Sequence, residues 1–239
     1  MGKHRHLLFA IPYAGGHSLV FRNLKNLLND HVRVEMLEPP GRGKRAGEPL
    51  LKDLNDIASD LYSHIEKMSK GEPYSVLGHS MGALIAYLVT HQSVKISPVA
   101  VKHLYCSGHI APLVPKIEPG EIPKYKATSN DFWNYIDSLG ALPPELKEHE
   151  ELMSYFEPIV RADIQALESY VYKEPEQKLD VPLTVFYGIK DSETPIHKLL
   201  PWQSESTLPV RYIPQSGGHF GFFENLDTVS RYIIESSRE

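Results

Sequence analysis

A chain of 239 residues with 41% hydrophobic residues can bury one sizeable core, and strand-like and helix-like stretches alternate along it, so a single α/β domain is expected. A net charge of −5, with basic residues scattered in ones and threes, lays down no broad positive surface and argues against nucleic acid as a partner. The lone Cys106 cannot form an internal disulfide, and no apolar stretch approaches the roughly 18 residues of a membrane span, so a cytoplasmic protein off the membrane is expected, with a monomer as the default state.

The chain opens on Met1-Gly2-Lys3-His4-Arg5-His6 and an apolar run over 7–11. That run stops at Pro12, short of the ~7 residues of a signal-peptide core, and His6 stands where a myristoylation signal wants Ser or Thr. It reads as the first strand. The loop that follows, Pro12-Tyr13-Ala14-Gly15-Gly16-His17-Ser18, is a candidate source of an oxyanion-binding N–H. Pro12 has none to give, which leaves Tyr13 and Ala14, with glycines behind them that let backbone approach a ligand. A strand over 32–37 leads into Pro39-Pro40-Gly41-Arg42-Gly43-Lys44-Arg45-Ala46-Gly47, which lacks the G-x-x-x-x-G-K-[ST] pattern of a phosphate loop and reads as a strand-end loop.

Gly78-His79-Ser80-Met81-Gly82 is the most informative stretch, since it fits G-x-S-x-G with a strand-like run at 74–77 before it and a helix-compatible run at 83–89 after it. In that context Ser80 is a nucleophile on a strained turn, and Met81 offers a backbone N–H at a helix start, where an oxyanion would form. Cys106 ends another strand-like run and is expected to be buried; no cysteine and histidine cluster has metal-ligand spacing, so no metal is expected.

The strand rhythm is then interrupted from about 112 to 173. The segment begins with Pro112, Pro115, Pro119 and Pro123 and ends in an amphipathic helix pattern through Leu152, Phe156, Ile159, Val160, Ile164, Leu167 and Val171, kinked or broken at Pro158. So much chain between two strands of one sheet predicts a helical lid over the site.

A serine hydroxyl needs a base, and the base an acid to hold its tautomer. After a strand over 181–188 comes Asp191, at the strand end where the acid belongs, and after a strand over 210–214 a glycine turn delivers His219 as candidate base. Asp163, inside the helix pattern, is the runner-up acid, with a solvated or ion-paired carboxylate as its alternative reading.

These motifs together resemble the type II thioesterases that accompany nonribosomal peptide and polyketide synthases, a group within the α/β-hydrolase fold. The resemblance runs through Pro12–Gly16, Pro40-Gly41-Arg42, the elbow, Ser107-Gly108, Ala111-Pro112, Leu139-Gly140, Pro143-Pro144-Glu145, Arg161-Ala162-Asp163, Tyr187-Gly188 with Asp191, and Gly218-His219-Phe220. It implies a mostly parallel central sheet flanked by helices, a Ser80–Asp191–His219 triad, oxyanion N–H groups from Ala14 and Met81, and a lid over 112–170 within one domain of residues 1–239. It implies no cofactor and, as substrate, an aberrant or stalled acyl group on the phosphopantetheine arm of a carrier protein. A chain-terminating carrier-protein thioesterase, a small-molecule carboxylesterase and a non-catalytic binding protein are the alternatives. His109-Ile110 departs from the pattern, where basic residues are expected after Ser107-Gly108. Lys3, Arg5, Arg42, Lys44 and Arg45 are basic positions for carrier docking or, in the plainer reading, solvated surface.

Overall fold

The computed structural model describes residues 5–117 and 120–238. The first half runs β1 (His6–Ile11), α1 (Arg22–Leu28), β2 (Val32–Met36), α2 (Leu54–Ser69), β3 (Tyr74–His79), α3 (Met81–Ile96) and β4 (Val101–Ser107). Then come α4 (Ser129–Ser138), α5 (Pro144–Lys147) and α6 (Glu150–Glu168), with no strand of the sheet among them. The chain returns to the sheet with β5 (Leu183–Gly188), α7 (Ile196–Leu199), β6 (Arg211–Gln215), α8 (Gly221–Glu224) and α9 (Leu226–Ser236). The described strands pair in parallel in the order β2-β1-β3-β4-β5-β6.

That order places a reversal of winding beside β1: the chain steps to β2 on one side and then crosses to β3 on the other. Connections leaving β1 and β3 therefore diverge and open a crevice at the strands' carboxyl ends, where ligands of open α/β sheets bind. The candidate oxyanion loop and Ser80 both sit at this edge.

Each strand of the middle of the sheet is buried on both faces, so its residues alternate between two cores rather than between core and water. In β1, Leu7, Phe9 and Ile11 join the cluster containing α2 and α3, and Leu8 and Ala10 join the one containing Leu24 and Leu28 of α1 and Val229 and Ile233 of α9. Helix α2 starts at Asp53, whose carboxylate accepts from the N–H groups of Asn55 and Asp56 at 2.7 and 3.3 Å. Its buried residues Leu54, Ile57, Ala58, Leu61 and Ile65 form one stripe at helical spacing. The inserted helices have a small core of their own, in which Phe132, Trp133 and Ile136 of α4 meet Val160 and Ile164 of α6.

Helix α6 runs unbroken through Pro158, contrary to a break there. The bond that proline cannot donate is outweighed by burial of Ile159, Val160 and Ile164 just beyond it. The helix stops at Glu168, and Val171, which fits the helical spacing, lies past its end and is exposed. Strand β5 begins two residues later than the apolar run, because Pro182 has no N–H for a ladder; its carbonyl still accepts from Leu104 N–H at 2.9 Å.

His103 on β4 stacks on Tyr105 and shares a 2.9 Å hydrogen bond with Thr184, and burial, with some help from the charges of Arg211 and His6, pushes its pKa down to about 3. His109 is also buried, and burial, then the charge of Lys116, brings it to about 3 as well. In the unfolded chain both take protons near pH ~6.5. Below that pH the unfolded state binds more protons than the fold, so stability falls as pH drops toward 3, by up to about 1.4 kcal/mol per pH unit for each histidine. Urea midpoints are expected to fall between pH 7 and pH 5 and to fall less in His103→Gln; equal slopes in the two proteins would contradict this.

Candidate active site

Ser80 links β3 to α3 with φ 53° and ψ −121°, a left-handed backbone that few side chains tolerate. The turn is anchored by its own N–H, which donates to Ser107 O at 2.7 Å. Its tightness explains the flanking glycines. A Cβ on Gly78 would lie 1.9 Å from Gly82 O, and one on Gly82 would lie 2.3 Å from Ile11 O and 2.6 Å from Pro12 O. Gly82 therefore lets the start of α3 press against the end of β1, which brings Met81 N–H and the Tyr13-Ala14 loop to the same place.

His219, carried by the loop after β6, shares hydrogen bonds of 3.0 Å with Ser80 Oγ through Nε2 and 2.8 Å with Asp191 Oδ2 through Nδ1. An ionised Asp191 can only accept, so Nδ1 carries the proton and Nε2 faces the serine hydroxyl as a free base. Burial works against charge on Asp191, but the hydrogen bond and charge of His219, Thr194 Oγ at 2.7 Å and Glu193 N–H at 2.9 Å together hold its pKa below the ordinary value. The three residues thus meet in one hydrogen-bonded chain. Thr194 and the Glu193 N–H carry no mark in the sequence beyond lying within three residues of Asp191.

Asp163 does not serve as the acid in this arrangement. It is fully buried on α6 and makes a two-pronged pair with Arg42, through Nη1 to Oδ2 and through Nη2 to Oδ1 at 2.7 Å. Its Oδ2 also accepts from Gly15 N–H at 2.7 Å. Gly16 N–H is spent on Tyr13 O at 2.9 Å, so the loop around Ala14 is held from both sides. Tyr13 and Ala14 both line the cavity at Ser80. Arg42 is correspondingly removed from the docking candidates, since a guanidinium this buried and paired meets no partner protein. Arg45 is engaged with Glu48 and Asp60, Lys44 is exposed, and Lys3 lies outside the described residues.

The cavity over Ser80 measures about 30 Å³ and is walled by His219, Tyr135 and Ile136 of α4, and Ile164 and Leu167 of α6. Beneath it His79 is wholly buried, with its ring 5.4 Å from that of His219 and Nδ1 3.0 Å from Ser107 Oγ. Burial first, and then repulsion from His219, drives its pKa well down, so it backs His219 as a neutral ring among Phe220, Phe222 and Phe223. His79 is a supporting residue that the motif itself conceals, because x in G-x-S-x-G carries no chemical requirement. Among the described residues, no group of three or more His, Cys, Asp or Glu is placed to hold a metal ion, and no helix is long and apolar enough to cross a membrane.

The family model for the thioesterase domain matches residues 6–236. The chain belongs to the thioesterase family. The gramicidin S biosynthesis protein GrsT of Aneurinibacillus migulanus is 30% identical over 231 residues, which cover 97% of this chain and 88% of that one. Among solved structures, ClbQ from the colibactin NRPS/PKS pathway superposes with a TM-score of 0.89 at 27% identity, covering 97% of this chain and 96% of the other. YbtT, a type II thioesterase from the yersiniabactin NRPS/PKS pathway, gives 0.84 at 27% identity over 99% and 94%. The fold is that of the α/β hydrolases, and this thioesterase is a hydrolase that resembles type II enzymes over nearly its full length.

The buried pair of this thioesterase makes a stability test. Arg42→Ala leaves Asp163 charged and without its partner, at a cost of about 3–5 kcal/mol in urea unfolding. The double variant Arg42→Met/Asp163→Leu should regain most of that, less the ~1–3 kcal/mol for a Gly15 N–H left without its acceptor. A loss under about 1 kcal/mol for Arg42→Ala would show that the pair does not hold the loop.

Proposed function

We propose that this thioesterase hydrolyses aberrant or stalled acyl groups from the phosphopantetheine arm of carrier proteins in a nonribosomal peptide or polyketide synthase, through a Ser80 acyl-enzyme. The observation that carries the reading is the unbroken hydrogen-bonded chain Ser80–His219–Asp191 beside a small cavity lined by the helices between β4 and β5.

In the first half-reaction His219 Nε2 takes the proton of Ser80 as Oγ attacks the thioester carbonyl. Negative charge gathers on the carbonyl oxygen, where the N–H groups of Met81 and Ala14 receive it with the positive end of α3 behind Met81. The C–S bond then breaks. With a conjugate acid of pKa about 8.5 the thiolate leaves readily, taking the proton from His219. In the second half-reaction His219 removes a proton from water, hydroxide adds to the acyl-serine, and Ser80 leaves with the proton returned. No cofactor enters either half; the phosphopantetheine belongs to the substrate.

The helices between β4 and β5 act as the lid in this reading. They supply the apolar wall of Ile136, Ile164 and Leu167, and a cavity of about 30 Å³ accommodates only a few heavy atoms, which favours short acyl groups over a finished chain. The gramicidin S, colibactin and yersiniabactin pathways to which GrsT, ClbQ and YbtT belong support carrier proteins as partners. A monomer in the cytoplasm completes the proposal.

The test is mass spectrometry of acetyl-loaded carrier protein. Wild type should return the free phosphopantetheine form, and Ser80→Ala and His219→Ala should each lose about 10⁶ in rate. Rapid turnover of p-nitrophenyl esters, with acyl-carrier protein untouched, would point instead to a carboxylesterase.

A further inference from the structure

Beside the Ser80 cavity lies a larger one, about 380 Å³ against about 30 Å³. Its volume falls in the ~300–1,000 Å³ range of small-molecule sites. Among the described residues that line them, the two share only Leu167 and Lys116.

Both shared residues are fixed in place. Leu167 is buried on α6, one helical turn beyond Asp163, which Arg42 and Gly15 hold. Lys116 Nζ lies 2.7 Å from Glu193 Oε2, and the N–H of that same glutamate supports Asp191. The residues common to the two cavities are therefore one apolar side chain and one ion-paired cation, and both are braced from the Ser80 site.

The far chamber suits hydrocarbon. Leu84, Leu113, Val114, Pro115 and Val171 line it, and Leu113 and Val171 are exposed to solvent at 37% and 74%. Tyr172 hydroxyl donates to Glu205 at 2.9 Å and His109 Nδ1 bonds its neighbour's carbonyl, Ile110 O, at 2.6 Å, which leaves the buried His109 Nε2 as a polar atom without a partner among the described residues, in a wall that is otherwise mostly apolar. His109 stands where basic residues were expected, and its burial leaves the wall uncharged there.

Resting on the proposed thioester hydrolysis at Ser80, the geometry points to Leu167 as the residue that sets acyl length. With the Lys116–Glu193 pair it shuts the Ser80 cavity off from a chamber fit for the distal carbons of a medium-length chain, and so holds the enzyme to short acyl groups.

The experiment measures kcat/KM for acetyl-, butyryl-, hexanoyl- and octanoyl-pantetheine with the full-length protein. Leu167→Ala joins the chambers and should raise the octanoyl-to-acetyl ratio at least tenfold, since each methylene reaching apolar wall is worth up to about fourfold. Lys116→Ala should raise it less, and Leu167→Phe should lower the butyryl-to-acetyl ratio. An unchanged ratio in folded Leu167→Ala overturns the assignment; should that variant not fold, an unchanged ratio in Lys116→Ala overturns it instead. A wild type that hydrolyses none of the series would overturn the hydrolytic reading itself, and this inference with it.

Discussion

A serine held at φ 53° is the constraint on which the rest of the structure turns. A side chain in that region costs on the order of 1–3 kcal/mol, and it persists only where its surroundings over-determine it. Here they do: β3 is buried along its whole length, α3 is buried on nearly every side, and Gly78 and Gly82 let strand, helix and the end of β1 close to distances no Cβ would allow. The strain aims Oγ away from the strand toward His219 and leaves the first N–H groups of α3 facing the same point. In the proposed mechanism, nucleophile and anion-binding backbone are thus two results of one turn.

A second device makes the loop and the roof a single unit. Asp163 reaches from α6 to Arg42 in the loop after β2 and to Gly15 in the loop after β1. A buried pair of this kind is weak support for stability in general, because desolvation offsets attraction. Its value here is positional. Three segments far apart in sequence are locked where the crevice beside β1 opens, and Leu167, on the same face of α6 four residues on, is set in register with Ser80. The acid loop is braced likewise, with Thr194 and the Glu193 N–H on Asp191 and the Glu193 side chain on Lys116.

What could be read from sequence followed locality. Ser80, Asp191 and His219 each sit just past an apolar strand-like run with glycine nearby, a signal contained in about ten residues, and their order along the chain matched the topology. Asp163 was legible as a runner-up acid or as a solvated or ion-paired carboxylate, and the ion pair is what the structure shows, but its partner Arg42 looked like a loop cation because 121 residues separate the two. His79 was hidden inside a motif that leaves its position free. At Pro158 the helix does not break, since the local rule against proline in a helix was outweighed by the packing on either side of it. Val171 extended the helical spacing by coincidence past a helix that had already ended.

The most direct measurement is the site and His219-dependence of labelling by a fluorophosphonate, read by peptide mass spectrometry. The account predicts one adduct, on Ser80, formed rapidly in the wild type and abolished in a folded His219→Ala variant. A modification at another residue, or labelling of Ser80 at the same rate without the imidazole, would contradict it.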